Sequence, residues 1–136
     1  VQGVKTLNTT YHSLVGRALM GMEYALFRTG PLTMAPSQLG IFTRSSPDHE
    51  RANIEFHVQP LSLDRFGAPL HRFPAITVSA CNLRPTSRGT IRLRSPDPTA
   101  KPLIAPNYLS TPEDRRVAAD AIRVTRRLMK QAAMQP

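Results

Sequence analysis

Proline placement constrains this chain more than any other feature. There are thirteen prolines in 136 residues, and they fall almost entirely between apolar runs. Proline has no backbone N–H and a fixed φ, so it stops helices and is kept out of central strands. Here it punctuates the chain into short elements. The pattern between the breaks is strands joined by loops, with a helix near each end. That order favours an α+β domain with a largely antiparallel sheet over a βαβ sheet.

Residue spacing predicts the elements. Val1 to Asn8 reads as an irregular lead-in. Thr9 or Thr10 caps a helix to about Arg28, with Leu14, Val15, Ala18, Leu19, Met22 and Leu26 on one apolar stripe and Gly30-Pro31 as its stop. A loop through 34–37 feeds a strand at 38–43. Residues 52–59 alternate, with Ile54, Phe56 and Val58 on one face and Asn53, Glu55 and His57 on the other. A loop at 60–74 leads to a strand at 75–83, with Ile76 and Val78 on one face. Ser87-Arg88-Gly89 is a tight turn before a strand at 90–95, which is expected to turn Ile91 and Leu93 inward and Arg92 and Arg94 outward. Thr111-Pro112-Glu113-Asp114 is a helix start, with a capping threonine, proline at the first position and acids in the first turn. That helix carries Val117, Ala121, Ile122 and Leu128 on its apolar stripe and is expected to end near Gln131.

Forty per cent apolar residues suit one domain with a hydrophobic core, and no apolar run reaches membrane-spanning length. The chain opens on Val1 and shows no signal segment, as an internal fragment would. The single cysteine, Cys81, excludes an internal disulfide and a multi-cysteine metal site. It is compatible with a reducing, cytoplasmic setting, and its apolar strand suggests an inert core thiol. The net charge of +9 is uneven: residues 1–83 hold seven basic and five acidic residues, and residues 84–136 hold eleven and four. A basic half points either to nucleic acid or another anionic partner, or to a face that meets an acidic neighbour.

Several chemistries have no site. The seven glycines never come two apart, so there is no Gly-x-Gly-x-x-Gly turn for a dinucleotide. Gly16 and Gly21 have P-loop spacing, but Met22-Glu23 follows where lysine and a hydroxyl are needed; the two glycines instead let another element pack close. No nucleophile elbow is present. His12, His49, His57 and His71 lack metal-ligand spacing, and no metal is expected. Arg84, Arg88, Arg92 and Arg94 cluster, but no aromatic interleaves with them as base stacking requires.

The segment Leu83-Arg84-Pro85-Thr86-Ser87-Arg88-Gly89-Thr90-Ile91-Arg92-Leu93-Arg94-Ser95-Pro96-Asp97-Pro98, followed by Pro102-Leu103-Ile104-Ala105-Pro106-Asn107-Tyr108-Leu109, resembles the late part of glucose–methanol–choline (GMC) flavin oxidoreductases. Residues 23–33, 53–60 and 120–126 extend the likeness in family order, closest to choline dehydrogenase-like members. The resemblance implies that residues 1–136 form a single substrate-binding domain, a fragment of a larger FAD-dependent enzyme that oxidises the CH–OH group of an alcohol. It implies that the Gly-rich FAD-binding unit and the C-terminal catalytic histidine lie on other polypeptide, so that this fragment alone binds no FAD, carries no catalytic residue and oxidises nothing. Two substrate-binding positions carry over. Gln38 matches a glutamate that faces the quaternary ammonium in choline-oxidising relatives, and an amide there points to a neutral alcohol. His57 matches a pocket histidine that positions the alcohol. The expected partners are the alcohol, the missing FAD-binding domain and, through apolar surface left uncovered, other copies of the chain. The alternative reading is a stand-alone basic module for nucleic acid or an anionic partner.

Overall fold

A computed structural model describes residues 3–35 and 37–134. The lead-in is therefore described from Gly3, and Pro36 of the 34–37 loop lies outside the described residues. The elements are α1 (Leu7–His12), α2 (Leu14–Phe27), a 3-10 turn (Pro31–Thr33), β1 (Leu39–Thr43), β2 (Ile54–Gln59), β3 (Thr77–Asn82), β4 (Thr90–Arg92), β5 (Leu103–Ala105), α3 (Pro112–Met129) and a final 3-10 turn (Ala132–Met134). Strands β1, β2 and β3 form one sheet in that order, and β4 and β5 form a second. Gln38 N–H donates to Val58 O, Asn53 N–H to Thr43 O and Leu83 N–H to Asn53 O, so neighbouring strands run antiparallel. The α+β class with antiparallel sheets follows. No helix among the described residues is long and apolar enough to cross a membrane.

The chain divides into two compact units. One comprises residues 1–41, 56–79 and 127–136; the other comprises 42–55 and 80–126. In the first unit the buried apolar side chains are Met20 and Phe56; in the second they are Ile54, Val117 and Ala121. The strand at 54–59 follows the predicted alternation over its first half, with Ile54 and Phe56 almost fully buried and Glu55 half-buried; Val58 is half-buried like His57, and Asn53, expected on the outer face, is buried.

In the first unit, the single helix expected to about Arg28 is two helices. Ser13 is extended, and its hydroxyl accepts from Gly16 N–H, so it ends α1 and caps α2. Thr6 precedes α1, and its N–H donates to Thr9 Oγ1. The corner closes because position 16 is glycine: a Cβ there would lie 2.4 Å from Thr10 O. Close packing is thus the role of Gly16, whereas Gly21 faces open space. The apolar stripe of α2 is uncovered, with Leu14, Val15, Leu19, Met22 and Leu26 exposed and only Met20 buried. Asn8 is fully buried and ties α1 to the loop at 62–71. Its Nδ2 donates to Ser62 O, Ser62 Oγ and His71 O, and its Oδ1 accepts from Ser62 N–H.

In the second unit two expectations are corrected. Ile91 and Leu93 are exposed, because β4 belongs to a two-stranded sheet with nothing over that face among the described residues. Cys81 is exposed, because both faces of β3 are open over residues 79–81, where every side chain is exposed. Helix α3 starts as its sequence predicts, with Asp114 N–H donating to Thr111 Oγ1, and ends at Met129, close to the expected end near Gln131.

Candidate functional site

A recess lies in the second unit, where the turn at 85–89, the β4–β5 hairpin and the start of α3 meet. Its volume is about 360 Å³, with walls from Pro85, Ile91, Ile104 and Pro106, a floor at Asp114 and a rim at Arg88 and Tyr108. Asp114 organises it. This third residue of α3 is 2 % exposed. Its carboxylate accepts from Thr86 N–H at 2.8 Å, Ser87 N–H at 2.9 Å and the Thr86 hydroxyl at 3.1 Å. The Ser87 hydroxyl and the Thr86 N–H hold the Asp114 carboxyl well below the usual carboxylate range. With its lone pairs engaged, Asp114 is a fixed anion that pins a turn and is not a proton acceptor for a reactant.

The far side of the recess is built with equal care. Gly89 immediately precedes β4, and a Cβ there would lie 2.4 Å from both Ala105 O and Pro106 O, so only glycine lets the strands meet. Asn107 and Leu109 take positive φ, at 53° and 56°, and hold Tyr108 between them. Asn107 Nδ2 donates to Arg88 O, and the Arg115 guanidinium donates to Leu109 O and Ser110 O. Arg88 itself donates to Pro85 O and Ser87 O. The positive φ of Leu109 costs energy that these bonds offset, and the result is Tyr108 standing 84 % exposed at the rim. Its lining is mostly apolar, with few polar groups, as ligand recesses commonly are.

Gln38 and His57 belong to the first unit. Gln38 is exposed, and its side-chain amide donates to Ala35 O. Its pairing with Val58 puts position 38 on the Val58 face of the sheet, and His57 falls on the opposite face. The register therefore does not bring the two side chains to one face. His57 is half-buried. The same unit holds a relay that the sequence reading missed. His71 lies 3.0 Å from the Ser62 hydroxyl through Nδ1 and 3.0 Å from Asp64 through Nε2. Ser62 is buried and already accepts from Asn8, so this serine–histidine–aspartate set tethers a loop. Asp114 was read as a helix-start acid, but its hold on the turn was missed, because Thr86 and Ser87 lie far from it in sequence. Among the described residues no three His, Cys, Asp or Glu side chains converge to hold a metal ion.

Residues 85–136 match the family profile described as GMC oxidoreductase. The chain is 37% identical over 123 residues to a protein of Pseudomonas putida named alcohol dehydrogenase [acceptor], covering 90% of this chain and 22% of that protein. It is 36% identical over 117 residues to an oxygen-dependent choline dehydrogenase of Acinetobacter baumannii, covering 86% of this chain and 21% of that protein. A protein of the same name from Staphylococcus epidermidis is 35% identical over 117 residues, 86% of this chain and 20% of its own length. The chain thus spans about a fifth of the length of these relatives.

The described residues do not fit the flavin dinucleotide that this family generally uses. Its pyrophosphate needs free N–H groups at a glycine-opened helix start. Helix α3 begins with Pro112, which has no N–H, and places Glu113 and Asp114 in its first turn. The first turn of α2 is capped by Ser13, and Gly16 is closed off by Thr10.

Proposed function

The chain belongs to the GMC oxidoreductase family, and we propose that it is the substrate-binding lobe of an FAD-dependent enzyme acting on the CH–OH group of an alcohol. The observation that carries this reading is the match over 90% of the chain to a protein named for alcohol oxidation. The lobe shapes and closes the substrate site. FAD and the catalytic base come from the remaining polypeptide, because the residues described here form no cradle for a pyrophosphate. The substrate is a neutral alcohol. An amide at Gln38 cannot offset a quaternary ammonium in a dry pocket, as a carboxylate would.

The test is the full-length enzyme assayed against choline and against small neutral alcohols. Neutral alcohols are expected to turn over at least about tenfold better by kcat/KM, with Gln38→Glu shifting the preference toward choline. Choline preferred by the unaltered enzyme would overturn the neutral-alcohol reading. The isolated chain, mixed with FAD and desalted, is expected to retain no flavin absorption; a yellow protein would place the cofactor site on this chain.

A further inference from the structure

The β4–β5 hairpin is an incomplete sheet. It has two strands of three residues each, all exposed, and so short a pair is marginal in water without a third strand or a covering element. Among the described residues both outer edges are unpaired. The register pairs Ile91 with Ile104, Arg92 with Leu103 and Thr90 with Ala105. Side chains alternate across a strand, so Ile91 and Ile104 share the face that walls the recess, and Arg92 takes the other. Beside the strands a shallow concavity of about 740 Å³ is lined by Arg92, Arg94 and Lys101 together with Thr90, Pro102, Leu103, Ile104 and Ala105. Arg94 is held there by donating to Lys101 O. Asp97 in the connecting turn directs its carboxylate to the Thr99 N–H and hydroxyl. The hairpin therefore has one apolar face, a second face where three cations flank Leu103, and, among the described residues, free edges.

We infer that this hairpin docks a third strand from an acidic polypeptide, an extended segment in which apolar and acidic side chains alternate. Main-chain bonds on a free edge supply the pairing, and the two-residue period delivers apolar groups to Ile91 and Ile104 and carboxylates to Arg92, Arg94 and Lys101. Charge complementarity selects this occupant. A second copy would bring the same three cations onto one another in a chain of net charge +9. Single-stranded nucleic acid needs aromatic platforms beside the charge, and the cationic concavity is lined by none. This inference does not depend on the substrate assigned above.

The test uses the whole chain and a labelled short peptide alternating valine and glutamate, with binding read by fluorescence anisotropy. Controls are its block-ordered isomer, a valine–lysine alternating peptide and a mixed-sequence DNA duplex. The valine–glutamate peptide is expected to bind best, to weaken with salt, and to lose about tenfold in affinity in R92E/R94E. Lys101→Glu is the second variant, and unchanged melting of both variants shows that the loss is not unfolding. Amides of residues 90–92 or 103–105 are expected to gain protection from hydrogen exchange. Equal binding of the block-ordered isomer, tighter binding of DNA, hairpin-mediated dimerisation, or peptide binding with no change at those amides would each overturn the inference.

Discussion

Asp114 shows how much one side chain settles in this protein. Three hydrogen bonds reach it from Thr86 and Ser87, two of them from backbone N–H groups. In Asp114→Asn the new NH₂ would face an N–H donor, leaving one of them unpaired. The variant is expected to melt lower by about 5–10 °C, read by circular dichroism. The sign of the pH dependence follows from the depressed titration. Asp114 stabilises the fold above its ordinary value of 3.8 and loses that contribution as the pH falls toward the lower native value. The acid limb of the melting curve should therefore be shallower in Asp114→Asn than in the unaltered chain. Cys81 is the second residue with a clear outcome. Its thiol is exposed, so a thiol reagent should titrate one equivalent in the native state as fast as after unfolding. Protection of that thiol in the native chain would contradict its placement. The apolar neighbours of Cys81 suggested burial, but they do not reveal that both faces of β3 are open over residues 79–81. Asp114 was legible as a helix-start acid, and its partners were not, because Thr86 and Ser87 lie far away in sequence.

At the scale of elements, local chemistry is strongest at the ends. Thr111, Pro112 and the two acids mark the start of α3 without reference to anything distant. The break at Ser13 follows from equally local chemistry, a serine whose hydroxyl caps the next helix, but continuous apolar spacing masks it. Ser13→Ala is expected to cost about 1 kcal/mol by denaturant titration, since the cap of α2 is lost. A continuous helix through 9–28 would show no such loss. Gly89→Ala addresses the hairpin. The added methyl meets two carbonyl oxygens, and a backbone shift costing about 1–3 kcal/mol is expected, with faster hydrogen exchange in β4 and β5.

At the scale of the whole molecule, the exposed row on α2 is the feature with the widest consequence. Leu14, Val15, Leu19, Met22 and Leu26 are the stripe that periodicity assigned to a buried face, and they lie open. We expect the isolated chain to self-associate over this row, with light scattering giving a mass above that of one chain and Leu19→Glu returning it to a monomer. A clean monomer of the unaltered chain at high concentration would count against this. Sequence alone determined the α+β class, the strand at 54–59 with Ile54 and Phe56 inward, the start of α3 and the family likeness, because these rest on spacing between near neighbours. Only the tertiary structure decided that the stripe of α2 and the pair Ile91–Ile104 are uncovered, that Gln38 and His57 take opposite faces of a sheet, and that a turn at 85–89 is pinned by Asp114. An apolar period declares that a face wants cover; what covers it is a matter of long-range pairing, which no local pattern encodes.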